Sequence, residues 1–477
     1  MSSFITKLKN EIDTSSLIID KFEMAKYITD WPGKITGDAL AVLRPQNTTE
    51  VSKMLAMAYE YRIPVVPQGG NTSVAGGSVP DDTGTSVVIS LERMNKIRDI
   101  SLSAMTITVE AGCILEKLQE IAEDKGLFFP LNFGAKGSCM IGGNLATNAG
   151  GQNVVRYGNT RELCLGLEAV FSDGRVMNLL SGLRKDNTGY DLRDLLIGSE
   201  GTLAIITAAT MKLFHLPIER STTIAVIPDI DTGLELLNRV QSATGSAVEA
   251  FELIPRVFLE LVKKHAPQFQ MPFPKIPELC VLIEIAPTTP QISNGTEAME
   301  NNAQEQLEII LEAGVNDGLI LDAVIASSEA QRREMWEMRE NALEIITKEG
   351  NRIGFDISLP LNKVQAFVKE MEYRAGSLVK NLRMCHMGHL GDGNLHYAIF
   401  PPEGNSDALN SKSEEIKTAV YEAVSSFDGS FSAEHGIGTS KLFAMNNYKD
   451  PVALDIMQQI KMKLDPKNIM NPGKLLP

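Results

Sequence analysis

Between Pro130 and Gly158 the chain reads PLNFGAKGSCMIGGNLATNAGGQNVVRYG, with seven glycines among small and amide-bearing residues. Glycine adds no side chain to a core and costs backbone entropy on folding. A run this dense implies backbone that curls tightly or passes close to something flat or anionic. Successive N–H groups in such a loop form a concave donor surface suited to a pyrophosphate. Leu131, Phe133, Met140, Ile141, Leu145, Val154 and Val155 punctuate the run, which a solvated linker would not need, so an ordered ligand loop is favoured over a flexible one. No GxGxxG closes a strand and opens a helix here, and that disfavours a nicotinamide domain.

At 477 residues, 43% hydrophobic and 22% charged, the chain suits two or three globular domains with a large core. A formal net charge of −15 opposes non-specific binding to nucleic acid or anionic membranes, so an anionic ligand would need local positive groups. Cys113, Cys139, Cys164, Cys280 and Cys385 are scattered without a CxxC. That pattern suits a reducing compartment and argues against iron–sulfur clusters and structural zinc fingers. No apolar run approaches the ~20 residues of a membrane span, and the opening MSSFITKLKNEIDTSS has no signal-peptide core. A cytoplasmic protein is expected.

In chain order, residues 1–36 read as a helical arm that ends at Trp31-Pro32-Gly33. Strand and helix then alternate: a strand to Leu43, a helix over Thr49–Tyr61 capped by Thr48 or Thr49, and a buried strand over Ile63–Pro67. This strand runs into a second small-residue loop, QGGNTSVAGGS (68–78), so two glycine-rich loops leave the ends of buried strands, where α/β proteins place ligands. Gly166–Leu180 reads as a hairpin turning at Asp173-Gly174, and small residues again precede a β-branched strand in GSEGTLAIIT (198–207). From Pro217 glycine thins out. Strands near 222–227, 279–285, 353–359 and 395–400 alternate with helices near 231–242, 297–311, 330–347 and 361–375, giving a mixed α/β cap domain.

Of the six histidines, His386, His389, His396 and His435 fall within fifty residues of one another. In HLGDGNLH (389–396) two imidazoles flank a glycine-rich turn that can bring both rings to one metal ion, and Glu434 would complete two histidines and a carboxylate with open positions. Spacing alone reads equally well as a hairpin turn with surface histidines. His386, His215 and His265 read as structural. Arg339 lies three residues after Trp336 and four before Leu343 on an expected helix, hence on their face. It reads as a guanidinium snorkelling from an apolar stripe or as a carboxylate clamp.

PQGGNTSVAGG, the Pro130–Gly158 stretch, RKDNTGYDLRDLLIGSEGTLAIIT, HLGDGNLH and AEHGIG together resemble the FAD-linked D-2-hydroxyacid dehydrogenases of the vanillyl-alcohol-oxidase flavoprotein superfamily, over residues 38–477. The resemblance implies an α+β protein. It would comprise a two-subdomain FAD-binding domain of the vanillyl-alcohol-oxidase (PCMH) type at 37–216, a cap at 217–430 carrying the metal motif, and a segment at 431–477 returning to the flavin domain. FAD contacts are implied at Pro67, Gln68, Gly69, Gly70, Asn71, Thr72, Gly76 and Gly77, and in the long stretch at Pro130, Gly134, Ser138, Cys139, Gly142, Gly143, Asn144, Thr147, Asn148, Gly150, Gly151 and Tyr157. Glu200, Gly201, Ile205, Ile206 and Asn471 complete the set. Asn71 stands where relatives that tether flavin have a histidine, so FAD is expected to be non-covalent.

The same resemblance makes His389, His396 and Glu434 ligands of a divalent metal, zinc by family, His435 the general base and Arg339 the substrate-carboxylate clamp. The implied reaction oxidises a D-2-hydroxy acid and passes electrons to a separate acceptor such as an electron-transfer flavoprotein or a quinone. A homodimer is compatible with it. Alkyl-glycerone-phosphate synthases lack HLGDGNLH, non-catalytic subunits of glycolate-oxidase-type complexes lack the metal and base residues, and a zinc hydrolase would leave the glycine loops unexplained. Alignment on Trp336, Arg339 and DISLP (356–360) puts Leu343, Gly354 and Ala398 where D-2-hydroxyglutarate enzymes carry threonine, lysine and asparagine. A substrate with an uncharged side chain, such as D-lactate, is therefore expected, with D-2-hydroxyglutarate as the alternative and Arg352 or Asn341 as compensating groups.

Overall fold

A computed structural model describes residues 2–289 and 302–477. The chain forms two compact units, one of Met1–Gly150, Gly158–His215 and Glu434–Pro477, the other of Gly151–Tyr157 and Leu216–Ala433.

The first unit holds two main sheets. One comprises β1 (Leu17–Ile18), β2 (Ala41–Leu43), β3 (Val65–Gln68) and β4 (Val87–Ser90) in the order β1-β2-β4-β3, with β2, β4 and β3 mutually parallel. A crossover helix, Thr48–Tyr61, links β2 to β3, as a parallel pair requires. The other is antiparallel, built from β5 (Ile97–Ser101), β6 (Thr106–Glu110), β8 (Cys164–Phe171), β9 (Val176–Leu179) and β10 (Ala204–Lys212) in the order β5-β6-β10-β8-β9. A small pair, β7 (Leu127–Phe128) with β11 (Phe214–His215), stands apart. The Asp173-Gly174 turn forms as expected: Gly174 takes φ +87°, and a Cβ there would meet the Ser52 carbonyl at 2.7 Å.

The C-terminal segment is stitched into this unit. Asn471 donates from its main chain to Val65 O (2.8 Å) and from its amide to Gly77 O (3.0 Å) and Glu200 O (2.8 Å). Lys461 donates to Thr202 O (2.9 Å) and Met470 O (2.7 Å).

The second unit is one seven-stranded sheet: β12 (Ser221–Val226), β13 (Val248–Pro255), β14 (Leu279–Ile285), β15 (Asp322–Ile325), β16 (Ile353–Ser358), β17 (Arg383–His389) and β18 (Asn394–Phe400). The order is β15-β12-β14-β13-β17-β18-β16, and every neighbouring pair is antiparallel. Both faces are covered. Phe251, Leu253, Phe355 and Tyr397 point to a core shared with helices Ile230–Ala243, Ala303–Asn316, Val364–Leu378 and Ser413–Ser426. Ala250, Ile254, Leu282, Met387 and Phe400 point to a second core under helices Arg256–His265, Glu329–Glu340 and Ala342–Lys348. Two buried faces explain why these strands read as continuous apolar runs rather than alternating ones.

Several expectations are corrected. The N-terminal arm is not wholly helical, since Leu17–Ile18 pairs with β2. Asn47, not Thr48 or Thr49, caps the first long helix, because its side chain reaches Glu50 N–H at 3.0 Å. The helix expected over 330–347 breaks at Asn341, whose amide turns back onto Glu337 O at 2.7 Å. Leu343 is consequently 56% exposed and does not share the buried face of Trp336 and Arg339. The helix expected over 297–311 runs over Ala303–Asn316, and residues 297–301 lie outside the described residues. β5, β11, β13, β15 and β17 are among the strands that the sequence reading does not give.

Candidate functional site

In the first unit the two glycine loops lie backbone to backbone. A Cβ on Gly70 would fall 2.1 Å from Ser138 O, and one on Gly69 would fall 3.4 Å from Gly143 N. At Gly70 only glycine permits that approach. Among the described residues, the main-chain N–H groups of residues 69–74 donate to no protein acceptor, which leaves a run of donors of the kind that cradles a pyrophosphate. Gly134 and Gly143 face open space. The donor set and the space fit an anionic dinucleotide such as FAD.

Other expected contact residues brace these loops. Asn71, at φ +53°, donates to Thr29 O (2.8 Å) and accepts from the Ser78 hydroxyl (2.7 Å). Gln68 donates to Tyr27 O and Ser78 O, both at 2.8 Å. Glu200 accepts the N–H groups of Ile437 (2.7 Å) and Gly438 (2.8 Å), tying the loop after Ile197 to the C-terminal segment. Asn148 accepts from Arg161 N–H (2.9 Å). Burial pushes the Cys139 thiol up to about 11, so it is protonated and inert at neutral pH. Gly151 and Tyr157 belong to the second unit. There the Tyr157 hydroxyl donates to buried Glu249 (2.9 Å), which also pairs with Arg156 (3.4 Å) and Arg220 (3.2 Å).

In the second unit, strand parity sorts the histidines. Side chains alternate between faces, so His389 on β17 and His396 on β18 share the face of Cys385, Met387, Ala398 and Phe400. His386 pairs in register with Tyr397 and points to the opposite core. Burial there pushes its pKa down to about 4, so the ring is neutral, but its Nδ1 has no hydrogen-bond partner among the described residues and it is not the fully satisfied structural histidine expected. The turn between β17 and β18 requires Gly393, at φ +80°, where a Cβ would meet Leu359 O at 2.2 Å.

The Nε2 atoms of His389 and His396 lie 3.4 Å apart. Two nitrogens bound tetrahedrally to one zinc at 2.0–2.1 Å would be separated by about 3.4 Å, whereas N–H···N hydrogen bonds are typically nearer 3.0 Å. Glu252 on β13 stands directly across from His389 and accepts from its Nδ1–H at 2.6 Å, which aims Nε2 at His396. The other Glu252 oxygen lies 2.5 Å from Arg339 Nη2. Burial would raise the Glu252 carboxyl, but Arg339 and His389 hold it down at about 2, so it is an anion. Arg339 is itself buried; its contact with Glu252 is an ion pair, and neither its Nε nor its Nη2 makes a hydrogen bond among the described residues, leaving donors for an incoming acceptor. Its helix is pinned one turn earlier, where Trp336 Nε1 (2.7 Å) and Arg332 (2.9 Å) both donate to Glu284 on β14.

Glu434 and His435 follow Ala433 directly. Ala433 N–H donates to Asp356 O (3.3 Å), and Asp356 sits opposite His396 in the β16–β18 register. Sequence reasoning missed Glu252 altogether. The available signal was a pair of glutamates, Glu249 and Glu252, inside the apolar run VEAFELIP, because an acid in a fully buried strand needs a cationic partner.

Residues 216–475 match the family described as FAD linked oxidases, C-terminal domain. The chain belongs to the FAD-linked oxidase family. Residues 39–180 of this FAD-linked oxidase match the FAD binding domain. It is 38% identical over 478 residues to the mitochondrial D-2-hydroxyglutarate dehydrogenase of Arabidopsis thaliana, spanning 100% of this chain and 82% of that protein. It is 34% identical over 472 residues to the D-2-hydroxyglutarate dehydrogenase of Xanthomonas citri pv. viticola, spanning 99% and 96%. Among solved structures, p-cresol methylhydroxylase with substrate bound aligns at TM-score 0.72 and 15% identity, covering 99% of this chain and 96% of that one. Alkyldihydroxyacetonephosphate synthase aligns at 0.71 and 17%, covering 99% and 84%. These likenesses establish the vanillyl-alcohol-oxidase-type fold. Among the described residues, no helix is long and apolar enough to cross a membrane.

Proposed function

We propose that this FAD-linked oxidase oxidises a D-2-hydroxy acid to the 2-oxo acid and passes the electrons to a separate acceptor, an electron-transfer flavoprotein or a quinone. The carrying observation is the imidazole pair, with Nε2 atoms 3.4 Å apart and braced by Glu252, in a chain whose relatives over its full length are such dehydrogenases. His389, His396 and Glu434 would hold a divalent metal, zinc by ligand type, and chain continuity from Ala433 supports Glu434 as the third ligand. Such a metal supplies Lewis-acid polarisation of the substrate hydroxyl. FAD supplies the hydride acceptor. His435 takes the hydroxyl proton at an imidazole nitrogen, and the open Arg339 Nε donor binds the substrate C1 carboxylate. A reducing compartment is supported by five buried free cysteines, while several relatives are named as mitochondrial proteins.

The relatives' names support D-2-hydroxyglutarate as substrate. Arg352, half-buried at the start of β16, offers a group for the distal carboxylate: it donates to the Thr347 hydroxyl (3.1 Å) and has no acidic partner among the described residues. The second reading, a substrate with an uncharged side chain, is favoured by the apolar pair Gly354 and Ala398, which face each other across β16 and β18. The ratio of kcat/KM for D-2-hydroxyglutarate and D-lactate with an artificial acceptor decides between them. The expected ratio favours D-2-hydroxyglutarate at least ~10-fold, and Arg352→Ala should remove most of that preference, as a carboxylate left unpaired costs one to three kcal/mol or more. A ratio favouring D-lactate would establish the second reading.

FAD is held without a covalent bond in this proposal, because the Asn71 amide is not a nucleophile and its side chain is spent on Thr29 and Ser78. Acid precipitation should release the yellow chromophore into the supernatant. Flavin fluorescence remaining on the denatured chain would refute it.

A further inference from the structure

Both oxygens of one fully buried carboxylate are engaged, by groups from different layers of the second unit. Glu252 Oε1 meets His389 Nδ1 at 2.6 Å on the adjacent strand, and Oε2 meets Arg339 Nη2 at 2.5 Å on the overlying helix. Backbone register fixes the first contact, since Glu252 and His389 are direct partners between β13 and β17. Helix docking fixes the second: Trp336, on the same face as Arg339, is held by Glu284, so the helix cannot roll about its axis without breaking a buried hydrogen bond. The glutamate therefore touches both the imidazole aimed at His396 and the guanidinium with the open Nε donor.

Resting on the reading above, we propose that Glu252 is a positioning residue that couples the metal imidazole to the substrate clamp. One carboxylate selects the His389 tautomer whose Nε2 carries the lone pair that binds a metal, and the same carboxylate sets the Arg339 fork toward the substrate carboxylate. Loosening either side shifts the carboxylate and so perturbs the other. Metal affinity and substrate KM should then change together, although Arg339 is no ligand and His389 is no part of the clamp.

The test uses FAD-loaded enzyme. Zn²⁺ affinity is measured by competition with a chelating dye, the visible spectrum of the Co²⁺-substituted enzyme reports ligand geometry, and KM and kcat are measured for a D-2-hydroxy acid. Glu252→Gln, similar in size but presenting an amide to one of its two partners, should weaken Zn²⁺ binding 10–100-fold and alter the Co²⁺ spectrum. KM should rise at least ~10-fold, with FAD content unchanged, and Glu252→Asp should recover part of both. Arg339→Gln is the second arm, and it serves should Glu252→Gln not fold. It should weaken Zn²⁺ binding measurably, by ~3-fold or more, through Glu252 alone. Zn²⁺ affinity unchanged in Arg339→Gln, or a weakened metal with unchanged KM in Glu252→Gln, would overturn the coupling. Wild-type enzyme that binds neither ion would instead overturn the metal reading on which it rests.

Discussion

Treating the enzyme with a chelator to strip the proposed metal, or replacing His396 with alanine, is expected to lower turnover about 1,000-fold while the protein stays yellow. A Lewis acid on the substrate hydroxyl is worth several kcal/mol, and each 1.36 kcal/mol is a factor of ten in rate. FAD should be retained because the facing glycine loops and the Asn471 brace belong to the unit that contains neither His389 nor His396. Flavin absorbance, elemental analysis and turnover measured on one preparation provide the check. Full activity in enzyme shown to be metal-free would rule out the proposed role.

Gly70→Ala is expected to have a comparably large effect on the other half of the chemistry. Its Cβ would fall 2.1 Å from Ser138 O and 3.0 Å from Cys139 Cα, so both glycine loops must separate for the variant to exist. Because the clash is with main chain, no rotamer change relieves it. Overpacking of this kind costs one to three kcal/mol or more. We expect FAD affinity to fall on the order of 100-fold, read by flavin titration of the apoprotein, with a lower melting temperature. Gly134→Ala is the control, since nothing lies within 4 Å of its added Cβ. Equal flavin affinity in the two variants would show that the loop contact does not shape the cradle.

How much of this was readable beforehand depended on whether a signal was local. The glycine loops announced themselves because close backbone approach leaves glycine as the only workable residue, at Gly70 above all. His389 and His396 were legible because a short hairpin places them seven residues apart on one sheet face. The hairpin turn expected as the alternative to a metal pair is what brings the two rings together. Glu252 was hidden, lying 137 residues from His389 and meeting it only through strand pairing that no local pattern encodes. The break at Asn341 was also missed. The apolar periodicity continues across it, and only the amide turning back onto Glu337 O marks where Leu343 leaves the Arg339 face.

The four crossings between units, after Gly150, Tyr157, His215 and Ala433, bear on how the protein comes into being. Neither unit is one continuous length of chain. The first begins at the N-terminus, yet Val65 bonds to Ile469 O and Asn471, and Glu200 receives Ile437 and Gly438. A nascent chain emerging N-terminus first therefore has the glycine loops long before the residues that brace them. The pair of glycine loops cannot reach its final form until the stretch around Ile469 and Asn471 has emerged.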